Sequence, residues 1–145
     1  MDDAPDTLHS IGYLTNLCAR LLVRALERRI PGGTSGPMPV FLALADGGAL
    51  PQKALARLAA VEQPTMANTL ARMMRDGLVV GTRDPADRRS TLLRLTRRGH
   101  EHARIAMAAA GEVNTLALGA LRSGERAAFL DGLRRVIGKL EADGQ

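Results

Sequence analysis

The chain has 145 residues, 46% hydrophobic and 24% charged, a balance that fits one globular domain and excludes a disordered chain. Net charge is +5, in keeping with a polyanionic partner, but aromatic residues make up only 2%, too few for RNA or single-strand recognition by base stacking. A single cysteine, Cys18, excludes an internal disulfide framework and a multi-cysteine metal site.

Apolar residues at Leu8, Ile11, Leu14, Leu17/Cys18, Leu21/Leu22 and Ala25/Leu26 form the i, i+3/i+4 stripe of a long amphipathic helix from Thr7 to about Arg29. The run Pro31-Gly32-Gly33-Thr34-Ser35-Gly36-Pro37 breaks it. A short helix from about Pro39 to Ala45 should follow, stopped by Asp46-Gly47-Gly48. Pro51 suits the first position of a helix to about Ala60, with Leu55 and Leu58 inward. Pro64 can open another over about Gln63 to Asp76, closed by Gly77. The few residues around Val61-Glu62 that separate these two helices have the spacing of a helix-turn-helix.

The periodicity then changes. Leu78 to Arg83 reads as a β-strand, Asp84-Pro85-Ala86-Asp87 as a turn, and Thr91 to Leu95 as the returning strand. Thr96 is a good N-cap for a long helix through about Leu118. Ser123 is expected to cap a last helix, with Glu125 in its first turn and an apolar stripe at Phe129/Leu130, Leu133, Val136/Ile137 and Leu140. The expected fold is therefore mainly α with a small β-hairpin: a winged helix-turn-helix over about 38–96, flanked by helices over about 7–30 and 97–143. Those outer stripes have little of the domain left to cover them, and a second copy is the economical cover, so the outer helices are expected to dimerise.

On the helix beginning at Pro64, successive residues turn about 100°. Met66, Leu70 and Met73 share one face, with Thr69 at its edge, and should pack on Leu55, Leu58 and Phe41. Thr65, Asn68, Arg72 and Arg75 share the opposite face. Such a small polar face with two arginines suits the major groove, where Arg can read G bidentately and Asn can read A, although a merely solvated face has the same pattern. The hairpin tip carries Arg88 and Arg89, and a protruding Arg can enter a narrow minor groove; an ordinary charged turn is the alternative. Asp87 is a poor neighbour for phosphate unless it braces the tip, and pairing with Arg83 or Arg88 is the expected way. Arginine abundance alone decides little, because eighteen of the twenty basic residues are Arg and Lys occurs only at Lys53 and Lys139. Placement says more: Arg72 to Arg104 holds nine Arg against four acids, equal to the excess of the whole chain.

The stretch L-A-R-L-A-A-V-E-Q-P-T-M-A-N-T-L-A-R-M-M-R-D-G-L-V, followed by R-D-P-A-D-R-R-S-T-L-L-R-L-T-R-R-G, resembles the MarR family of winged helix-turn-helix regulators. The second string, Arg83 to Gly99, carries the resemblance most specifically. Similarity is strong over roughly Leu42 to Gly99, and the outer helices match in number, order and length. The resemblance implies a homodimer on a pseudo-palindromic operator, with recognition helices in successive major grooves. It implies that Asp87 braces the wing and Arg89 enters the minor groove. It also implies a repressor released by a small-molecule effector, bound between the dimer helices and the winged helix, or by oxidation. Two departures are Pro51, where the family often has an N-capping Thr, and the loop Pro31–Pro37, richer in small residues than expected.

Cys18 raises the alternative of a thiol-based oxidative-stress sensor. The resemblance implies that such a sensor has activating tyrosines near an N-terminal-helix cysteine, and here only Tyr13 is available; the place of Cys18 on the apolar stripe fits a buried structural cysteine better. His100 and His102 lie about 200° apart on a helix and His9 is remote, so no metal site and no cofactor are expected. An enzyme is not expected either, because no nucleophile, base and orienting group fall together and no phosphate-binding Gly loop follows a strand. A winged helix that docks a protein is a further alternative. The acidic opening MDDAPD lacks the basic stretch of a signal peptide, and no apolar run approaches the ~18–20 residues of a membrane span; a cytoplasmic protein without a membrane partner is the expectation.

Overall fold

The computed structural model describes residues 9–144. Helix α1 (Ile11–Glu27) starts where the Ser10 hydroxyl accepts a hydrogen bond from the Tyr13 N–H at 3.2 Å. Thr7 and Leu8, expected in this helix, lie outside the described residues. Helix α2 (Met38–Leu44) follows the Gly- and Pro-rich break and ends before Gly47, whose φ of +87° only glycine adopts freely. Strand β1 (Leu50–Pro51), helix α3 (Gln52–Ala59) and helix α4 (Gln63–Arg75) come next. Strands β2 (Val79–Arg83) and β3 (Thr91–Leu95) form the hairpin, and helices α5 (Arg97–Leu118) and α6 (Ser123–Asp143) complete the order.

The sheet has three antiparallel strands in the order β1-β3-β2. Val79 faces Leu95 and Arg83 faces Thr91 across the hairpin, while Leu50 and Pro51 pair with Leu93 and Leu92 on the other edge of β3. The chain divides into two compact units, one through Gly111 and one from Glu112. The core of the first unit joins Val40, Phe41 and Leu44 of α2, Leu55 and Ala56 of α3, and Met66, Leu70 and Met73 of α4 with Val79, Leu93 and Leu95 of the sheet and Ala103 and Ala106 of α5. Each large side chain so buried contributes about 1.5–3 kcal/mol relative to exposure.

The junction between α4 and α5 is tight. Thr96 accepts the Gly99 N–H on its hydroxyl at 3.0 Å and donates that hydroxyl to the Gly77 carbonyl. Its own N–H reaches the Leu78 carbonyl at 3.0 Å. Gly99 packs so closely that a Cβ there would lie 2.0 Å from the Leu78 carbonyl oxygen.

Four sequence expectations are corrected. Leu58 points outward, 65% exposed, because the inward side of α3 runs through Leu55, Ala56 and Ala59. Pro51 is not the first helical residue but the extended N-cap, held by its pairing in β1. Ser123 does not cap α6: it is the first helical residue, and Glu125 reaches back to accept the Arg122 N–H at 2.8 Å. Cys18 is exposed rather than buried in the single chain.

The outer stripes stay open within their own units. In α1 only Ala25 is buried, while Leu14, Leu17 and Leu21 are 41–51% exposed. No residue of α6 is buried, and Phe129, Ile137 and Leu140 are 46–67% exposed.

Candidate nucleic-acid interface

The helix-turn-helix is set by a three-residue corner. Ala60 closes α3 in the left-handed conformation at φ +52°, and the Val61 N–H returns to the Ala56 carbonyl at 3.0 Å. Glu62 then turns extended and α4 begins, with Pro64 in its first turn, where its missing N–H is no loss. A 3.4 Å hydrogen bond from the Gln52 side chain to the Gln63 carbonyl ties the starts of α3 and α4 together.

Helix α4 buries Met66, Leu70 and Met73 and leaves Thr65, Asn68, Arg72 and Arg75 exposed. Among the described residues, the side chains of Asn68, Arg72 and Arg75 make no hydrogen bond or ion pair within the chain. Thr69 differs: its hydroxyl is committed to the Thr65 carbonyl at 3.1 Å. Both arginines of the face sit in the last turn, where the helix dipole favours cations.

The wing is held by its two aspartates, each through the main chain. Asp84 accepts the Ala86 N–H at 2.9 Å, and Asp87 accepts the Arg89 N–H at 3.0 Å. The Asp84 N–H to Ser90 carbonyl bond, 3.0 Å, and the Ser90 N–H to Asp87 carbonyl bond, 2.9 Å, close the loop across its base. The ion pair expected between Asp87 and Arg83 or Arg88 is replaced by this turn, because a carboxylate two residues before an N–H reaches it more readily than a long guanidinium reaches back. Arg88 and Arg89 are exposed, and among the described residues neither guanidinium has a partner in the chain.

Two concavities flank these elements. One is an open trench of about 450 Å³ between the first turn of α3, one flank of α4 and the wing, lined by Lys53, Ala67, Ala71, Arg89 and Ser90 among others. It brings Arg89 of the wing alongside α4. The other is a cavity of about 320 Å³ with apolar walls from Phe41, Leu78 and Ile105 and a polar edge of Asp76, Arg98 and His102. Lys53 and Arg98, neither of them a candidate from the sequence, line the first and the second of these respectively. The isolation of Lys53 in an arginine-dominated chain was the available signal for the first, and nothing local marked the second. Among the described residues no group of three metal-ligating side chains occurs. No helix among them is long and apolar enough to cross a membrane.

Comparison with known proteins yields consistent matches. A family model described as MarR family matches residues 36–90. The chain is 29% identical over 140 residues to the HTH-type transcriptional repressor NicR of Pseudomonas putida, covering 94% of this chain and 89% of that one. It is 32% identical over 111 residues to the transcriptional regulator HosA of Escherichia coli O111:H-, covering 77% and 82% respectively. Among solved structures, the PcaV transcriptional regulator from Streptomyces coelicolor in complex with its natural ligand superposes with a TM-score of 0.83 at 29% identity, over 95% of this chain and 98% of that one.

Proposed function

The chain belongs to the MarR family of transcriptional regulators, and on that premise we propose that it is a homodimeric repressor that binds a pseudo-palindromic operator in double-stranded DNA and is released by a small-molecule effector. The observation that carries the DNA-binding reading is the pairing of two unpartnered polar elements in one unit. Arg89 of the wing tip faces the Ala67–Ala71 flank of α4 across an open trench, and the same helix carries the exposed Thr65, Asn68, Arg72 and Arg75. In this reading α4 enters the major groove, where Asn68 and the arginines meet base edges. Arg89, with Arg88 beside it, takes the negative potential of the adjacent minor groove, on a loop that Asp87 keeps in shape.

Homodimer formation is supported by the uncovered stripes of α1 and α6, since exposed apolar faces of that extent are rare on monomers. Repression is supported by the name of the NicR relative. An effector is supported by the ligand in the PcaV structure and by the 320 Å³ cavity, at the small end of the range for ligand sites. Its apolar walls and its Arg98–His102 edge suit a ring-sized organic acid, with Asp76 available to a hydroxyl or N–H donor on the same ligand.

Sequencing the genomic fragments that the purified protein retains tests the reading as a whole. Enrichment of an inverted repeat with half-sites about one helical turn apart is the expected result. Retention of no DNA, or of DNA without a repeat, refutes it.

A further inference from the structure

The trench beside α4 has features that the base-reading face does not explain. Its walls are cationic on both sides, with Lys53 from the first turn of α3 and Arg89 from the wing, and Gln52 and Ser90 add polar hydrogens. No Asp or Glu lines it, whereas the effector cavity includes Asp76. Its floor includes Ala67 and Ala71, two methyl side chains one turn apart on α4. These alanines lie about 100° around the helix from the Asn68–Arg72 face, on the side towards the wing. Among the described residues the Lys53 ammonium has no ion pair.

This inference rests on the DNA-binding reading, and a simple topological constraint extends it. A helix in the major groove and a wing in the neighbouring minor groove are separated by one sugar–phosphate strand, which has to pass between them. The trench is the space between those two elements. We propose that it seats that strand, with Lys53 contacting a backbone phosphate from one wall, Arg89 passing along the other on its way to the minor groove, and the Ala67–Ala71 floor allowing close approach of the deoxyribose. Lys53 is then a positioning residue: it fixes the register of α4 on the duplex and carries no sequence information itself.

The test measures affinity of the full chain for a mixed-sequence duplex of about thirty base pairs across a sodium chloride series, for wild type, Lys53→Gln, Lys53→Arg, Ala71→Glu and, as a lysine outside the interface, Lys139→Gln. Lys53→Gln should bind about fivefold to tenfold more weakly near 0.1 M salt, with a log–log salt slope shallower by about 0.9 per subunit. Lys53→Arg should stay within about twofold of wild type, Lys139→Gln should match it, and Ala71→Glu, which sets a carboxylate against the strand, should lose more than about tenfold. A steeply salt-dependent wild type whose affinity and slope survive both Lys53→Gln and Ala71→Glu overturns the trench assignment and leaves DNA binding intact. A wild type that binds no duplex at any salt overturns both.

Discussion

At the scale of single residues, the wing separates two ways in which an aspartate can brace a loop. If Asp87 acted by charge on a guanidinium, Asp87→Asn would fail as fully as Asp87→Ala. Because Asp87 acts through an Oδ1 that accepts the Arg89 N–H at 3.0 Å, the amide oxygen of Asn can replace it. Operator binding should therefore fall by about 1 kcal/mol for Asp87→Ala and hold or improve for Asp87→Asn, which also removes a negative charge near phosphate. Equal losses in a filter-binding or anisotropy titration would reinstate the ion pair. Arg89→Ala should weaken binding by about 1–3 kcal/mol, while Asn68→Ala should mainly broaden the set of sequences bound, as read by selection from a randomised library. If both variants bind and select like wild type, those residues are not the contacts.

At the scale of elements, the α4–α5 junction makes a firm stability prediction. A Cβ on Gly99 would meet a backbone carbonyl at 2.0 Å, which cannot move without breaking the Thr96 N–H to Leu78 bond. A Cβ on Gly81 would meet side-chain methyls alone, that of Thr91 at 2.8 Å and one of Leu93 at 3.8 Å. Thermal melts should show Gly99→Ala destabilised by about 3 kcal/mol or more and Gly81→Ala by about 1 kcal/mol. Equal melting temperatures would mean that the junction has slack.

The same comparison of elements shows what could be read from the chain alone. The helices and the hairpin were legible because Met66/Leu70/Met73 and Val79-to-Leu95 keep a period over several turns or residues. Strand β1 was not, since two residues have no period and their partners Leu92 and Leu93 lie some forty positions away. Leu58 misled because an eight-residue helix turns its small Ala56 and Ala59 inward as readily as a leucine, a choice made by its neighbours. For the candidate site, the polar face of α4 and the wing arginines stood out by type and spacing. Arg98 did not, because its place at the cavity edge depends on what the fold sets beside it, and Lys53 was marked only by its isolation among arginines.

At the scale of the whole molecule, the open stripes predict its association. A charge placed on either should leave each chain folded and separate the copies: Leu17→Glu in α1 or Ile137→Glu in α6 should shift the mass in sedimentation from twice 15.4 kDa to 15.4 kDa. Operator affinity should fall with it by far more than for any single wing variant, because two tethered half-site contacts act as one binding event. A wild type that sediments as one chain, or variants that remain paired, would exclude these faces as the contact.

The fastening at Thr96 has a consequence for control. With its hydroxyl on Gly77, its N–H on Leu78 and Gly99 seated against the same carbonyl, Thr96 ties the end of α4 to the helix that bears Arg98. A ligand that displaced Arg98 would then be expected to carry α4 with it, like the arm of a calliper whose jaw stays rigid. Amide hydrogens at this fastening should exchange at the same rate whether or not the cavity is filled.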